Sequence, residues 1–180
     1  YLISGKQMKN WEKKAMEVNK IPSLLLMERA ALAVVEELLG GKYDLKKILV
    51  ACGTGNNGGD GFAIARLMMQ KGYDTYVCLV GAMDKLSVDA KQQLEMYQAI
   101  SGRFVTAPAY HEYTVIVDAI FGIGCNRDIT GIAAEVIDSI NKTKAQIIAV
   151  DVPSGISSDT GKVCGVAVKA HMTVTFFTEK

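Results

Sequence analysis

The chain has 180 residues, of which 49% are hydrophobic and 22% charged, with a formal net charge of +1. That length and composition suit one compact domain with a full core. The Lys and Arg residues are scattered and no basic run alternates with aromatics, which argues against nucleic acid or an anionic membrane as a partner.

Four cysteines, Cys52, Cys78, Cys125 and Cys164, form no C-x-x-C pair, and the two histidines, His111 and His171, add little, so the spacing argues against zinc. Cys52 and Cys78 fall in strand-like apolar runs, where buried thiols are common. Cys125 lies in a glycine loop, and an inert thiol is favoured there over a reactive one. Free thiols fit a reducing compartment, hence a cytoplasmic location. The longest apolar runs, such as 147–152, are strand-sized, so no signal peptide or membrane span is read.

In chain order, Ser4-Gly5-Lys6-Gln7 reads as a capping box, with Met8, Trp11, Ala15 and Met16 at helical spacing behind it. Pro22 and Ser23 open a second helix whose buried side carries Leu24, Met27, Ala31, Val34, Val35 and Leu38, and Gly40-Gly41 stops it. Ile48-Leu49-Val50-Ala51-Cys52 is a continuous apolar run, as expected of a strand covered on both faces. A glycine loop, 53–61, leads into a helix through Ala63, Ala65, Leu67 and Met68 that Gly72 ends. The rest reads as a strand at 75–80, a helix from Ser87 to about Ile100, a short strand near 103–105 and a clear one at 114–117. A helix at 131–141 and strands at 146–152 and 172–177 follow. This alternation implies an α/β fold with a parallel, doubly wound sheet and helices on both faces, the two leading helices capping one side or edge.

In such folds ligands bind beyond the carboxyl ends of the strands, and three loops there stand out. The first is Gly53-Thr54-Gly55-Asn56-Asn57-Gly58-Gly59-Asp60-Gly61, which contains G-x-G-x-x-G between a strand and a helix, the context of a dinucleotide fingerprint. Two details weaken the ordinary form of that reading. Asp60 is expected at or near the helix N-terminus, where it would occupy amides that a diphosphate uses. The acid expected at the end of the next strand is not clean either, since Asp74 precedes that strand and Asp84 follows it late. A Walker loop is excluded because no Gly-Lys-Ser/Thr follows. A tight turn with an aspartate cap explains Asp60 and some glycines, but not two adjacent asparagines among five glycines.

The second loop runs Val117-Asp118-Ala119-Ile120-Phe121-Gly122-Ile123-Gly124-Cys125-Asn126-Arg127-Asp128. Asp118 ends an apolar strand, where a carboxylate is costly unless it meets a cation or hydrogen-bond donors. Gly122 and Gly124 allow close backbone approach, Arg127 is either a phosphate ligand or a solvated side chain, and Asp128 is a candidate cap for the following helix. The third loop is Asp151-Val152-Pro153-Ser154-Gly155, where a strand again delivers an aspartate at its carboxyl end and the chain turns sharply. Asn57, Asp118 and Ser154 together offer an amide oxygen, a carboxylate and a hydroxyl or carbonyl. These are hard ligands for an alkali or alkaline-earth cation, and with one carboxylate a monovalent ion is the better charge match.

Taken together, the three loops resemble the YjeF N-terminal family, the NAD(P)H-hydrate epimerases. Asp159-Thr160-Gly161 and Thr173-Val174-Thr175-Phe176 are similar to that family too, and the resemblance covers essentially the whole chain. It implies a three-layer α/β/α Rossmann-like sandwich with a mostly parallel sheet and two leading N-terminal helices, assembled as a homodimer. It also implies an isomerase of metabolite repair that interconverts the R and S forms of NADHX and NADPHX, damaged cofactors with a hydroxyl at C6 of the nicotinamide ring. By the family pattern, Asn57, Asp118 and Ser154 would bind potassium. Asn56, Asn57, Gly58, Gly59, Asp60, Gly122, Ile123, Gly124, Cys125, Asn126, Arg127, Asp128 and Asp151 would contact the hydrate. The implied functional partner is an NAD(P)H-hydrate dehydratase, fused to the domain in some bacterial members. The family's domain continues past the last strand seen here, so residues 1–180 read as that domain without its C-terminal end.

Inverting C6 requires its C–O bond to break and re-form on the opposite face, or the ring to open and close. The ring nitrogen supplies electrons to expel the hydroxyl, so the protein need only assist proton transfer. Asp151, at a strand end facing the cleft, is the expected general acid/base, with Asp60 as its competitor. The alternative to an enzyme is a non-catalytic binding or scaffold module for protein or RNA-processing partners. A dehydrogenase is a further alternative, against which stands the lack of a convincing hydride-transfer residue.

Overall fold

The computed structural model describes residues 5–176. The expected capping serine, Ser4, and the expected last strand residue, Phe177, lie outside them. In chain order the elements are α1 (Gly5–Glu17), α2 (Ser23–Leu39), β1 (Ile48–Cys52), α3 (Asn56–Gln70), β2 (Thr75–Leu79), α4 (Val88–Ala99), β3 (Val115–Ala119), α5 (Ile132–Asn141), β4 (Gln146–Val150) and β5 (Met172–Val174).

The strands form one sheet in the order β2-β1-β3-β4-β5, and every neighbouring pair is parallel. Every residue of β1 and β3 is buried, as the continuous apolar runs require when helices cover both faces. On one face Val50, Cys52, Val117 and Ala119 pack with Val34 and Leu38 of α2, Phe62 and Met68 of α3, and Leu94 and Tyr97 of α4. On the other, Leu49, Ala51, Ile116 and Ile147 pack with Ile137 and Ile140 of α5. The result is an α/β/α sandwich. Its strand order reverses between β1 and β3, and the crevice beyond their carboxyl ends is where such sheets bind ligands.

Several elements differ from the sequence reading, among them β5, which ends at Val174 short of the expected 177. First, α3 begins at Asn56, so the nine-residue glycine loop shrinks to Gly53, Thr54 and Gly55. The glycines that suggested a loop lie inside the helix for a packing reason. A Cβ at Gly58 would fall 1.9 Å from the Gly53 carbonyl oxygen, and one at Gly61 would lie 2.7 Å from Cys52 Sγ and 2.8 Å from Ala119 Cβ. Asp60 is therefore the fifth residue of the helix rather than its cap; the N-cap is Gly55, which has no side chain to offer. Second, the strand near 103–105 reduces to an isolated parallel bridge between Val77 and Phe104. Third, β4 ends at Val150, one residue before Asp151 turns the chain with φ +70. Asp128 does not cap α5, whose N-cap is Gly131.

Candidate active site

Asp118 lies on the last turn of pleat in β3, with 0% of its surface exposed. Its Oδ1 accepts from the Ser154 hydroxyl at 2.5 Å and the Ile120 N–H at 3.2 Å, and its Oδ2 from the Ser154 N–H at 2.8 Å. Burial pushes its carboxyl up to about 6, against the hydroxyl of Ser154 and the N–H groups of Ser154 and Ile120, which lower it. No Lys, Arg or His among the described residues forms an ion pair with it. Ser154 is equally buried, and its Oγ also accepts the Phe121 N–H at 2.8 Å. The loops after β3 and β4 are thus sewn together by one aspartate and one serine.

Gly122 follows directly, and it joins these loops to the start of α3. A Cβ placed on Gly122 would lie 3.3 Å from both Asn57 Oδ1 and Asp151 Oδ2. The absence of a side chain lets the Asn57 amide and the Asp151 carboxylate approach one stretch of bare backbone from two elements. Asn57 Nδ2 is buried without a hydrogen-bond partner among the described residues, so none of them fixes which end of that amide faces the cleft. Asp151 is half-buried, and its positive φ is a conformation that Asp tolerates better than most residues.

The other expected contacts divide between two concavities. Asn56 and Asp60, one helical turn apart, line a cavity of about 460 Å³ walled by Leu26, Met27 and Ala30 of α2 and by Phe176. Gly58 and Gly59 are buried beneath it, in the packing of α3. Ile123, Gly124, Cys125 and Asn126 line a second cavity of about 330 Å³, shared with Gly5 and Asn10 of α1 and with Asp159. Arg127 and Asp128 are exposed beyond it. The α1 side of this second cavity was not signalled by any motif. It exists because Asp159 Oδ1 accepts the Gly5 N–H at 2.8 Å and Ser158 Oγ donates to the Ile123 carbonyl at 3.3 Å, tying α1 and the 155–161 turn to the 122–128 loop.

All four cysteines are free. Burial, followed by its contact with Cys164, raises the Cys125 thiol to about 11, so it stays protonated near neutrality and is a poor nucleophile. The donors that converge at the strand ends are amide, carboxylate and hydroxyl oxygens, and no group of three or more His, Cys, Asp or Glu forms among the described residues.

The sequence profile of the YjeF-related protein N-terminus matches residues 23–180. The chain belongs to this family. An NAD(P)H-hydrate epimerase of Oenococcus oeni is 44% identical over 175 residues, covering 96% of this chain and 83% of that protein. One of Levilactobacillus brevis is 44% identical over 177 residues, covering 96% and 81%. The crystal structure of the yeast protein ynu0 superposes with a TM-score of 0.85 at 25% identity, covering 100% of this chain and 82% of that one. Among the described residues of this YjeF-related chain, no helix is long and apolar enough to cross a membrane.

Proposed function

We propose that the chain is an NAD(P)H-hydrate epimerase, an isomerase that interconverts the R and S forms of NADHX and NADPHX. The observation that carries this reading is the meeting of Asn57, Asp151 and the bare backbone of Gly122 at the strand-order reversal. The names of the bacterial relatives support it. A glycine there leaves room for a flat ring beside a carboxylate.

Asp151 is the general acid/base in this scheme. It donates the proton with which the C6 hydroxyl departs as water, while the ring nitrogen supplies the electrons. It recovers a proton when water adds to the other face. Asn57, Asp118 and Ser154 would hold a potassium ion. The fit rests on oxygen donors, on the buried Asp118 charge met by three hydrogen bonds, and on an Asn57 amide whose orientation none of the described residues fixes. When bound, the ion supplies a fixed positive charge beside the reacting ring. Asn56 and Asp60, with Gly122 to Asp128, would take the rest of the dinucleotide.

The same reading includes a homodimer, a cytoplasmic setting supported by four free cysteines, and a hydrate dehydratase that consumes the epimerised product. Its test is chromatography of mixed R and S NADHX in potassium buffer, with and without the protein. The expected result is re-equilibration faster than the spontaneous rate, and loss of about 10² to 10⁴ of that acceleration in Asp151→Asn with binding retained. Full activity in Asp151→Asn transfers the role to Asp60. Hydrate binding with no acceleration by the wild-type protein replaces the enzyme by a binding module.

A further inference from the structure

The hydrate-facing end of α3 is held from outside the three loops by a residue that no motif marks. Ser87 stands immediately before α4 as its N-cap, and its Oγ accepts the Ala90 N–H at 3.3 Å. The same Oγ donates to Asn56 Oδ1 at 2.8 Å, across 31 residues of sequence. Its backbone N–H donates to the Thr54 carbonyl at 2.8 Å. The chain between β2 and α4 is seated on Thr54 at a second point, Gly81, where a Cβ would lie 2.7 Å from Thr54 Cγ2. The 81–87 segment is therefore a clamp on the start of α3.

A hydroxyl has one proton and two lone pairs. In the structure the Ser87 hydroxyl accepts the Ala90 N–H on one lone pair and directs its proton at Asn56 Oδ1. In that arrangement Oδ1 is taken by Ser87, and the two Nδ2 hydrogens are left for a ligand in the cavity that Asn56 lines with Asp60. An unclamped asparagine at an exposed helix start samples both orientations, one of which turns an oxygen toward the oxygens of a dinucleotide.

We propose that Ser87 is a positioning residue, whose hydroxyl turns the Asn56 amide so that its Nδ2 donates to an oxygen of the bound hydrate. The inference rests on the epimerase reading for the identity of the ligand, but not for the geometry of the clamp.

The test uses Ser87→Gly and Ser87→Thr. Glycine is a good N-cap, so Ser87→Gly removes the donor with little loss to α4, and a thermal melt checks that the fold is kept. Ser87→Thr restores the hydroxyl. Epimerisation of NADHX is measured for KM and kcat, and the dissociation constant for NADPH, as a dinucleotide probe, by calorimetry. The expected result is that Ser87→Gly raises KM and the NADPH dissociation constant about fivefold, with kcat within about twofold of wild type. Ser87→Thr returns both to wild type. A purely structural role would lower the melting temperature and leave the KM-to-kcat split unchanged. Wild-type KM and dissociation constant in a folded Ser87→Gly overturn the proposal. If the wild-type protein binds NADPH without epimerising the hydrate, the epimerase reading fails, and the Ser87 assignment is decided by the dissociation constants alone. A wild-type protein that neither binds nor turns over overturns both.

Discussion

At the scale of single residues the proposed site turns on Gly122 and Asp118. Gly122 sits where any side chain would press on two functional groups at once, with Asn57 Oδ1 and Asp151 Oδ2 both 3.3 Å from its missing Cβ. Those neighbours are side-chain ends that can yield by a few tenths of an ångström, so Gly122→Ala should fold. The adjustment moves both groups from their places, and a small misplacement at a reacting centre is costly. The expected outcome is a melting temperature within a few degrees of wild type and epimerisation down about tenfold or more. Wild-type turnover in Gly122→Ala would mean that the two groups do not act across Gly122. Asp118 is different in kind. Fully buried, it receives three hydrogen bonds from Ser154 and Ile120, and replacing either oxygen with an NH2 group sets donor against donor.

At the scale of elements, the start of α3 inverts an ordinary rule. Gly→Ala inside a helix usually stabilises by about 1 kcal/mol. Here a Cβ on Gly58 would land 1.9 Å from the backbone oxygen of Gly53, which no side-chain motion relieves. Gly58→Ala should destabilise by roughly 3 kcal/mol or more, as overpacking against backbone does. Gly55→Ala, whose Cβ meets nothing within 4 Å, is the control. Equal denaturation midpoints for the two variants would refute this account of the glycines.

The same segment marks what could be read from sequence. The buried strands were legible because a parallel strand covered on both faces is a continuous apolar run, as 48–52 is. The two strand-end aspartates were legible because a carboxylate closing such a run is expensive without a partner. The start of α3 was not, because Gly58, Gly59 and Gly61 carry low helix propensity and their reason for being there is the nearness of Gly53, Met27 and Cys52. That is tertiary information. Ser87 was read only as a helix start, since nothing local announces a partner 31 residues away. The side of the second cavity built by Gly5 and Asn10 was missed for the same reason.

At the scale of the whole molecule, the 2-1-3-4-5 strand order brings the ends of β1, β3 and β4 side by side, and the core on each face holds them there. A cation bound between these ends, as proposed, would tie together three chain segments that separate on unfolding, so its binding free energy would add to the stability of the whole fold. At a hundredfold excess over its dissociation constant the ion contributes about 2.7 kcal/mol, which corresponds to several degrees in melting temperature for a chain of this size. The protein should therefore melt higher in potassium chloride than in tetramethylammonium chloride of equal ionic strength. Asp118→Asn should be less stable than wild type by about 1 to 3 kcal/mol and melt equally in the two salts. Identical wild-type melts in both would remove the cation from the scheme.

Asp151 occupies a left-handed backbone conformation, with φ +70. Asparagine, glycine and aspartate itself are the residues that rest there with least strain, and a single base change in an aspartate codon reaches either asparagine or glycine. Both keep the turn and discard the acid. Glutamate, also one base change away, keeps the acid but is less at ease in the turn and carries the carboxyl a methylene further. Drift at this one position would thus favour descendants that retain the cleft and the sheet while losing the proton shuttle proposed above. If Asp151 is that shuttle, a lineage of this chain can lose catalysis at one position without losing its fold.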